Sequence, residues 1–132
     1  MKLVLDASAA VTCVLRTSSA RRLDALLAEA DALVVPDLFV AEVTNAIWKC
    51  RVFGSLDPAV CEAALDDVLQ LPTEIVPSAG LAIEVYHAAR TTRCTAYDLF
   101  YAILARRLSV PLLTLDQKLR RYCNSAGIEI VA

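Results

Sequence analysis

Short apolar runs alternate along the chain with longer segments in which apolar residues recur at helical spacing. The runs end at prolines or acids, which is typical of short buried strands. Five strands are predicted in this way: Leu3–Leu5, "ALVV" before Pro36, "EIV" before Pro77, "VPLLTL" over 110–115, and "IEIVA" over 128–132.

The segments between these runs predict helices. Phe39, Val43, Ile47 and Trp48 form the apolar face of "DLFVAEVTNAIWKCRVFG", a helix that Gly54 ends. The other helices are predicted over Ala7–Leu15, from Ser18 or Ser19 to about Glu29, over "LDPAVCEAALDDVLQLP" with Asp57 as N-cap, from Ser78 to about Thr91, over "TAYDLFYAILARRL", and from Asp116 to Ser125. Because "TAYDLFYAILARRL" is apolar on nearly all sides, we expect it at the centre of the molecule.

This alternation of strands and helices is typical of an α/β fold with a parallel sheet covered by helices on both faces. No linker, repeat or low-complexity stretch divides the sequence, so we expect one domain over residues 1–132. No apolar run reaches the roughly 18 residues of a membrane span, and the first residues lack the apolar stretch of a signal peptide. We therefore expect a soluble, cytoplasmic protein.

The composition argues against a zinc site and against a disulfide framework. The five cysteines are widely spread without a C-x-x-C pair, and His87 is the only histidine. This set predicts free thiols in a reducing compartment. It also leaves no histidine for a general base, because His87 lies in a pattern typical of a helix surface.

The net charge of −2 hides an uneven distribution. Residues 1–89 carry six basic and 12 acidic side chains, whereas residues 90–132 carry seven basic and three acidic ones. "RRL" at 106–108 and "KLRRY" at 118–122 hold most of the basic residues of the last third. Such a cluster is either a set of solvated helix surfaces or a phosphate-binding patch, and the sequence leaves both interpretations open.

Two predicted strands end on an aspartate, Asp6 after "KLVL" and Asp116 after "LLTL". In an open parallel sheet, ligands bind beyond the carboxyl ends of the strands, where the strand order reverses. If the first and fourth strands are neighbours, the two carboxylates converge there. Each aspartate could instead be only the N-cap of the helix that follows it.

Two further acids, Glu42 and Asp98, lie within largely apolar helices, and neither has a Lys or Arg at i±3 or i±4. A buried carboxylate without a partner is costly. The helix N-terminus offers some compensation to Asp98, but none to Glu42. If these two acids and the two strand-end aspartates share one cleft, they raise one another's pKa, and Mg²⁺ or Mn²⁺ would neutralise them.

Three uncharged polar residues stand close to these acids in the sequence. Ser8 and Thr114 lie two residues from the first and last acids, and Asn45 lies three residues after the glutamate, on the same helical face. The two hydroxyls could orient a metal ligand or a bound water. The alternative is a capping serine and an ordinary strand threonine.

The segments "LVLDASA", "VAEVTNAIW", "YDLFYAILA" and "LLTLD" resemble, in this order, the motifs of PIN domains, most closely those of the ribonuclease toxins of VapBC toxin–antitoxin modules. The resemblance covers essentially the whole sequence. It implies a three-layer α/β/α sandwich with a parallel sheet of about five strands. It also implies Mg²⁺- or Mn²⁺-dependent cleavage of single-stranded RNA, by a water activated at the metal, that leaves a 5′-phosphate and a 3′-hydroxyl.

The resemblance also assigns residues and partners. It assigns the roles of catalytic metal ligands to Asp6, Glu42, Asp98 and Asp116, and supporting polar positions to Ser8, Asn45 and Thr114. It implies a homodimer and a VapB-type antitoxin whose tail covers the acidic cleft, often with an arginine among the carboxylates. We further expect Arg93, Lys118 and Arg120 to contact the RNA backbone.

Three other classes of protein share parts of this pattern. A haloacid dehalogenase-like phosphatase needs a second aspartate two residues after the first, and Ser8 occupies that position. A response-regulator receiver needs paired acids after its first strand and an aspartate after its third, and "LDAS" and "EIVP" supply neither set. A non-catalytic binding module with the same fold would tolerate replacement of the acids, and this alternative stays open.

Overall fold

The computed structural model describes residues 1–15 and 20–131. The predicted caps Ser18 and Ser19 and the final Ala132 lie outside this range. The five strands are β1 (Lys2–Leu5), β2 (Ala32–Pro36), β3 (Glu74–Val76), β4 (Leu112–Leu113) and β5 (Ile130–Val131). The helices are α1 (Ala7–Val14), α2 (Ala20–Glu29), α3 (Leu38–Phe53), α4 (Pro58–Gln70), α5 (Ala82–Ala89), α6 (Ala96–Leu108) and α7 (Gln117–Ala126), with a 3₁₀ turn over Ser78–Leu81.

The strands form one parallel sheet in the order β3-β2-β1-β4-β5. Helix α1 packs against α2, α3 and α4, whereas α6 packs against α5 and α7. The sheet with its two groups of helices is the predicted three-layer α/β/α sandwich. The prediction of fold class is therefore confirmed.

Burial explains why the strands are short and apolar. In β1, Leu3, Val4 and Leu5 are fully buried, as expected for a central parallel strand that is covered on both faces. Helix α6 contacts β1, β2 and β4, and it is buried at Leu99 and from Tyr101 to Ala105. Its expected central position is confirmed.

Two details of the helices differ from the sequence predictions. The spacing predicts Trp48 on the buried face of α3, but its side chain is 52% exposed, and its ring contacts that of Phe53. Ile47 takes the inward position, and the next residue lies about 100° further around the helix. Ser78 begins a 3₁₀ turn instead of capping α5, because its hydroxyl and backbone N–H both donate to Asp37.

The sheet order places the carboxyl ends of β1 and β4 side by side. Leu5 pairs with Leu113, and the backbone N–H of Asp6 donates to the Leu113 carbonyl at 3.0 Å. Strand order reverses at this point, since the chain runs from β1 to β2 on one side and reaches β4 on the other. The two predicted aspartates therefore emerge at the edge where ligands bind in such sheets.

Within residues 1–15 and 20–131, no helix combines the length and the apolar character that are needed to cross a membrane.

Candidate active site

Asp6 is a buried carboxylate held by two hydroxyl groups. It follows β1 directly, and its residue is only 4% exposed. Its Oδ2 accepts hydrogen bonds from Ser8 Oγ at 2.7 Å and from Thr114 Oγ1 at 2.6 Å. Although Asp6 occupies the N-cap position of α1, its side chain accepts no capping hydrogen bond there. The capping alternative therefore does not explain this residue.

Asp116 has a structural role as well as its place beside the site. Its Oδ1 accepts from the backbone N–H of Leu119 at 2.8 Å, so it is the N-cap of α7. Its own N–H donates to Thr114 Oγ1 at 3.1 Å. The Thr114 hydroxyl thus joins the two aspartates, and both predicted hydroxyls, Ser8 and Thr114, lie at the site.

Glu42 has a partner that the sequence did not reveal. The hydroxyl of Tyr101, from α6, donates to Glu42 Oε1 of α3 at 2.7 Å. Tyr101 is fully buried, and a buried tyrosine hydroxyl requires a hydrogen-bond partner. Tyr101 lies three residues after Asp98 in a buried helix, which could have marked it as a residue of the site. The sequence pattern does not show that its hydroxyl bonds to Glu42.

Asp98 lies in the first turn of α6, where Thr95 is the N-cap and accepts from the Asp98 N–H at 3.3 Å. The Asp98 carboxylate is half-buried. Its position near a helix N-terminus stabilises a negative charge, as the sequence suggested. Its carboxylate is nevertheless within electrostatic range of Asp116 and Asp6, whose charges raise its pKa.

Burial and mutual repulsion raise the pKa of three of the acids. Desolvation is the main cause for Asp6, Glu42 and Asp98. Asp116 further raises the pKa of Asp6 and of Asp98, and Asp6 and Asp98 both raise that of Glu42. The hydroxyls of Thr114, Ser8 and Tyr101 act in the opposite direction, because they donate to the ionised forms. These interactions connect all four acids in one cluster, called here the acidic cleft (Asp6, Glu42, Asp98 and Asp116).

The donor set of the acidic cleft suits a hard divalent cation. Its ligands are carboxylate oxygens assisted by hydroxyls, which Mg²⁺ and Mn²⁺ prefer over nitrogen or sulfur. Among the residues that the structure describes, no group of three or more His, Cys, Asp or Glu side chains is close enough together to hold a metal ion. Mg²⁺ retains several waters and needs only one or two carboxylates directly, so an open cluster of oxygens fits it.

The remaining predicted residues take different positions. Asn45 is exposed and lines a cavity of about 630 Å³ on the outer side of α3, together with Thr44 and Trp48. Within the described part of the chain, no hydrogen bond joins it to the acidic cleft. Arg120 directs Nη1 to the Thr114 carbonyl at 3.2 Å, which supports the end of the fourth strand.

The basic residues of the last third fall into two groups. Arg106 and Arg107 both pair with Glu84, at 3.1 and 2.8 Å, and their hydrogen bonds lower the pKa of that carboxyl. These two arginines therefore do not form a free phosphate-binding patch. Arg93 and Lys118 instead line a cavity next to the acidic cleft.

Comparisons with known proteins agree with this arrangement of fold and cleft. The PIN domain family model matches residues 3–125. Ribonuclease VapC3 of Mycobacterium tuberculosis is 34% identical to this chain over 127 residues, which cover 95% of this chain and 90% of that protein. Ribonuclease VapC12 of the same organism is 33% identical over 135 residues, which cover 98% of this chain and 99% of that protein.

Among solved structures, PAE2754 from Pyrobaculum aerophilum has a TM-score of 0.76 at 26% identity, with 99% of this chain and 84% of that chain covered. The chain thus belongs to the PIN domain family and, within it, to the VapC ribonucleases. This membership confirms the resemblance seen in the sequence motifs. It also removes the phosphatase and receiver alternatives.

Proposed function

We propose that this protein is a metal-dependent endoribonuclease toxin of a VapBC module and that the acidic cleft is its active site. The ribonuclease class follows from membership of the VapC family. The metal, the residues that hold it and the partners of the protein are the parts that we propose here. They are supported by the geometry of the cleft.

The observation that supports the proposal is that four acids from four different parts of the fold lie within electrostatic range of one another. Asp6 comes from the end of β1, Glu42 from α3, Asp98 from α6 and Asp116 from the start of α7. Burial is the main cause of the raised pKa values of Asp6, Glu42 and Asp98, and repulsion from the other acids of the cleft adds to it. Stability alone does not require buried carboxylates such as those of Asp6 and Glu42, because apolar groups of similar volume are often at least as stabilising as buried charges. A cation that binds between the acids removes this repulsion.

The chain's own residues fix the geometry that such a cation requires. Ser8 and Thr114 orient Asp6, and Tyr101 orients Glu42, so two of the ligands are held by hydroxyl donors. When bound, Mg²⁺ or Mn²⁺ supplies Lewis-acid chemistry: it lowers the pKa of a water and stabilises the negative charge of a phosphodiester in in-line displacement. Cleavage by this route leaves a 5′-phosphate and a 3′-hydroxyl.

The charge of the cleft and a structural relative that was solved with its antitoxin support the proposed partners. The structure of VapBC2 from Rickettsia felis, bound to a DNA fragment from their promoter, resembles this chain with a TM-score of 0.67 at 19% identity, with 99% of this chain and 98% of that chain covered. We propose that a VapB-type antitoxin covers the acidic cleft here and places a cation, such as arginine, among the carboxylates. We also propose that the protein forms a homodimer and acts on RNA in the cytoplasm.

Cleavage mapping on total RNA, with Mg²⁺ and with EDTA, tests the proposed activity. We expect discrete cleavage sites with Mg²⁺, 5′-phosphate ends on the downstream products, and no cleavage with EDTA. The matched control is Asp6→Asn, which keeps an oxygen acceptor for Ser8 and Thr114 but removes the charge. Equal cleavage by wild type and Asp6→Asn would refute the assignment of the site, and folded protein without any cleavage would favour the non-catalytic binding module.

A further inference from the structure

A basic cavity of about 500 Å³ lies beside the acidic cleft. Two segments form it: the loop between α5 and α6, and one side of α7. Its lining residues are Thr91, Thr92, Arg93, Cys94, Lys118, Arg121, Tyr122 and Ser125. Three cations, several hydroxyls and one aromatic ring therefore surround a space that falls within the size range of small-molecule sites.

The spacing of the α7 residues explains why they share this cavity. Lys118, Arg121, Tyr122 and Ser125 stand at i, i+3, i+4 and i+7, so they lie along one side of the helix. The opposite side, with Leu119 among its residues, is buried in the core. Helix α7 is thus amphipathic, and its polar side carries basic residues and an aromatic ring.

The three cations are available to a ligand. The side chains of Arg93, Lys118 and Arg121 form no ion pair and no hydrogen bond within the described part of the chain, in contrast to the arginines that pair with Glu84. Arg93, Lys118 and Arg121 are also exposed. A group of unpaired, exposed cations around a concave space favours the binding of a phosphate.

The cavity lies next to the elements that carry Asp98 and Asp116. Cys94 directly precedes Thr95, the N-cap of α6, and its Sγ donates to the carbonyl of Lys118, in the first turn of the helix that Asp116 caps, at 3.5 Å. Burial is the main cause that raises the pKa of the Cys94 thiol; the charges of Asp98 and Asp116 raise it further, whereas Lys118 and Arg121 lower it. The charges of two cleft acids and of two cavity cations therefore act on the same thiol. Lys118 also lowers the pKa of Asp98, so its charge acts on the cleft as well as on the cavity.

The remaining feature is the ring of Tyr122, which is half-buried and packs against the core on one side. A ring fixed in this way presents a rigid surface to the cavity. Aromatic side chains of this kind stack with unpaired bases, which is the usual way that proteins bind single-stranded RNA.

We propose that this cavity is a nucleotide subsite for the RNA residue that flanks the scissile phosphate. Arg93, Lys118 and Arg121 bind its phosphate, and Tyr122 stacks with its base. The proposal rests on the proposed ribonuclease function and deepens it. Because phosphate contacts and base stacking do not read sequence, the subsite positions the RNA on the acidic cleft without selecting a base.

The test measures RNA binding separately from cleavage. A labelled random-sequence single-stranded RNA is titrated with Asp6→Asn protein, which binds without cleaving, at several salt concentrations. Two further changes are then made in this protein. Arg121→Ala removes one phosphate contact, and Tyr122→Leu removes the stacking ring but keeps an apolar side chain.

We expect Arg121→Ala to weaken binding and to reduce the slope of log affinity against log salt by about 0.7, as for one phosphate contact on a single strand. Tyr122→Leu should weaken binding about tenfold with an unchanged slope, because stacking is not electrostatic. The control for charge is Arg51→Ala, an exposed arginine near the end of α3. The control for the ring is Tyr122→Phe, which should bind normally.

Two outcomes would overturn the proposal, and they can be told apart from each other. If wild type cleaves RNA but Arg121→Ala and Tyr122→Leu bind as their controls do, the subsite is refuted and the ribonuclease function stands. If wild type neither binds nor cleaves RNA, the proposed function fails and the subsite fails with it. Melting curves of each variant identify any loss of folding, and Arg121→Ala tests the proposal even if Tyr122→Leu does not fold.

Discussion

The Tyr101 hydroxyl donates a hydrogen bond to Glu42 Oε1 at 2.7 Å and joins the buried central helix α6 to the acidic cleft. This bond stabilises the ionised form of Glu42 and lowers its pKa, against the larger effect of burial, which raises it. Tyr101 is therefore a positioning residue: it holds a proposed metal ligand without being one.

We predict that Tyr101→Phe shifts the acidic limb of the pH–activity profile to higher pH. Loss of the hydroxyl raises the pKa of Glu42, so a higher pH is needed to ionise this ligand. Cleavage at neutral pH should fall about 10- to 100-fold, as for other residues that orient metal ligands. The pH dependence of single-turnover cleavage measures both effects. A lower cleavage rate at every pH, with the acidic limb at its wild-type position, would argue against the positioning role.

Thr114 provides the second test, because its buried hydroxyl contacts both aspartates at the sheet edge. Thr114→Val should lower the free energy of unfolding by about 1–3 kcal/mol, since it leaves a buried carboxylate and a backbone N–H without their partner. Thr114→Ser keeps the hydroxyl and serves as the control. Urea unfolding of both variants measures this difference. An equal loss of stability in Thr114→Val and Thr114→Ser would mean that the hydroxyl does not contribute to the free energy of unfolding.

The raised pKa of Asp6 predicts how the stability of the metal-free protein depends on pH. A carboxyl whose folded pKa lies above its ordinary value of 3.8 binds protons more tightly in the folded state. Its contribution is full below that ordinary value and is lost as pH rises through the folded pKa. Relative to wild type, Asp6→Asn should therefore become progressively more stable from about pH 4 to pH 7 in EDTA. Parallel stability curves would contradict the raised pKa.

Asp98→Asn tests whether the acid that α6 contributes to the cleft is needed for cleavage. The variant should fold, because Thr95 still caps the helix. Its Mg²⁺-dependent cleavage of RNA should nevertheless fall by more than about 100-fold, a larger loss than is usual for residues that only support metal ligands. The matched control is Asp66→Asn, an exposed acid of α4. Full activity of Asp98→Asn would remove this residue from the mechanism.

The sequence predicted the parts of the site that depend on strand order and helix start signals. Asp6 and Asp116 could be located because an apolar run that ends on an acid marks the carboxyl end of a buried strand. Glu42 could be located because a glutamate without a cationic neighbour is unusual in a largely apolar helix. These signals are local in the sequence. The parallel α/β architecture brings the residues that carry them to the same edge of the sheet.

Contacts between distant elements could not be predicted in the same way. The Tyr101–Glu42 bond joins residues 59 positions apart, and no local pattern indicates such a pair. The exposure of Trp48 and the pairing of Arg106 and Arg107 with Glu84 likewise depend on which helices meet. Spacing along one helix shows which residues share a side, but only tertiary packing decides what that side contacts.

The most direct test of the central claim is the effect of Mn²⁺ on the melting temperature of wild type and of Asp116→Asn. Asparagine preserves the N-cap of α7, so the variant changes the charge of the cleft more than its structure. A cation at 100 times its dissociation constant adds about 2.7 kcal/mol to the stability of the folded state, so Mn²⁺ should raise the wild-type melting temperature by several degrees. It should leave that of Asp116→Asn nearly unchanged. An equal rise in both proteins, or no rise in wild type, would contradict a shared cation in the acidic cleft.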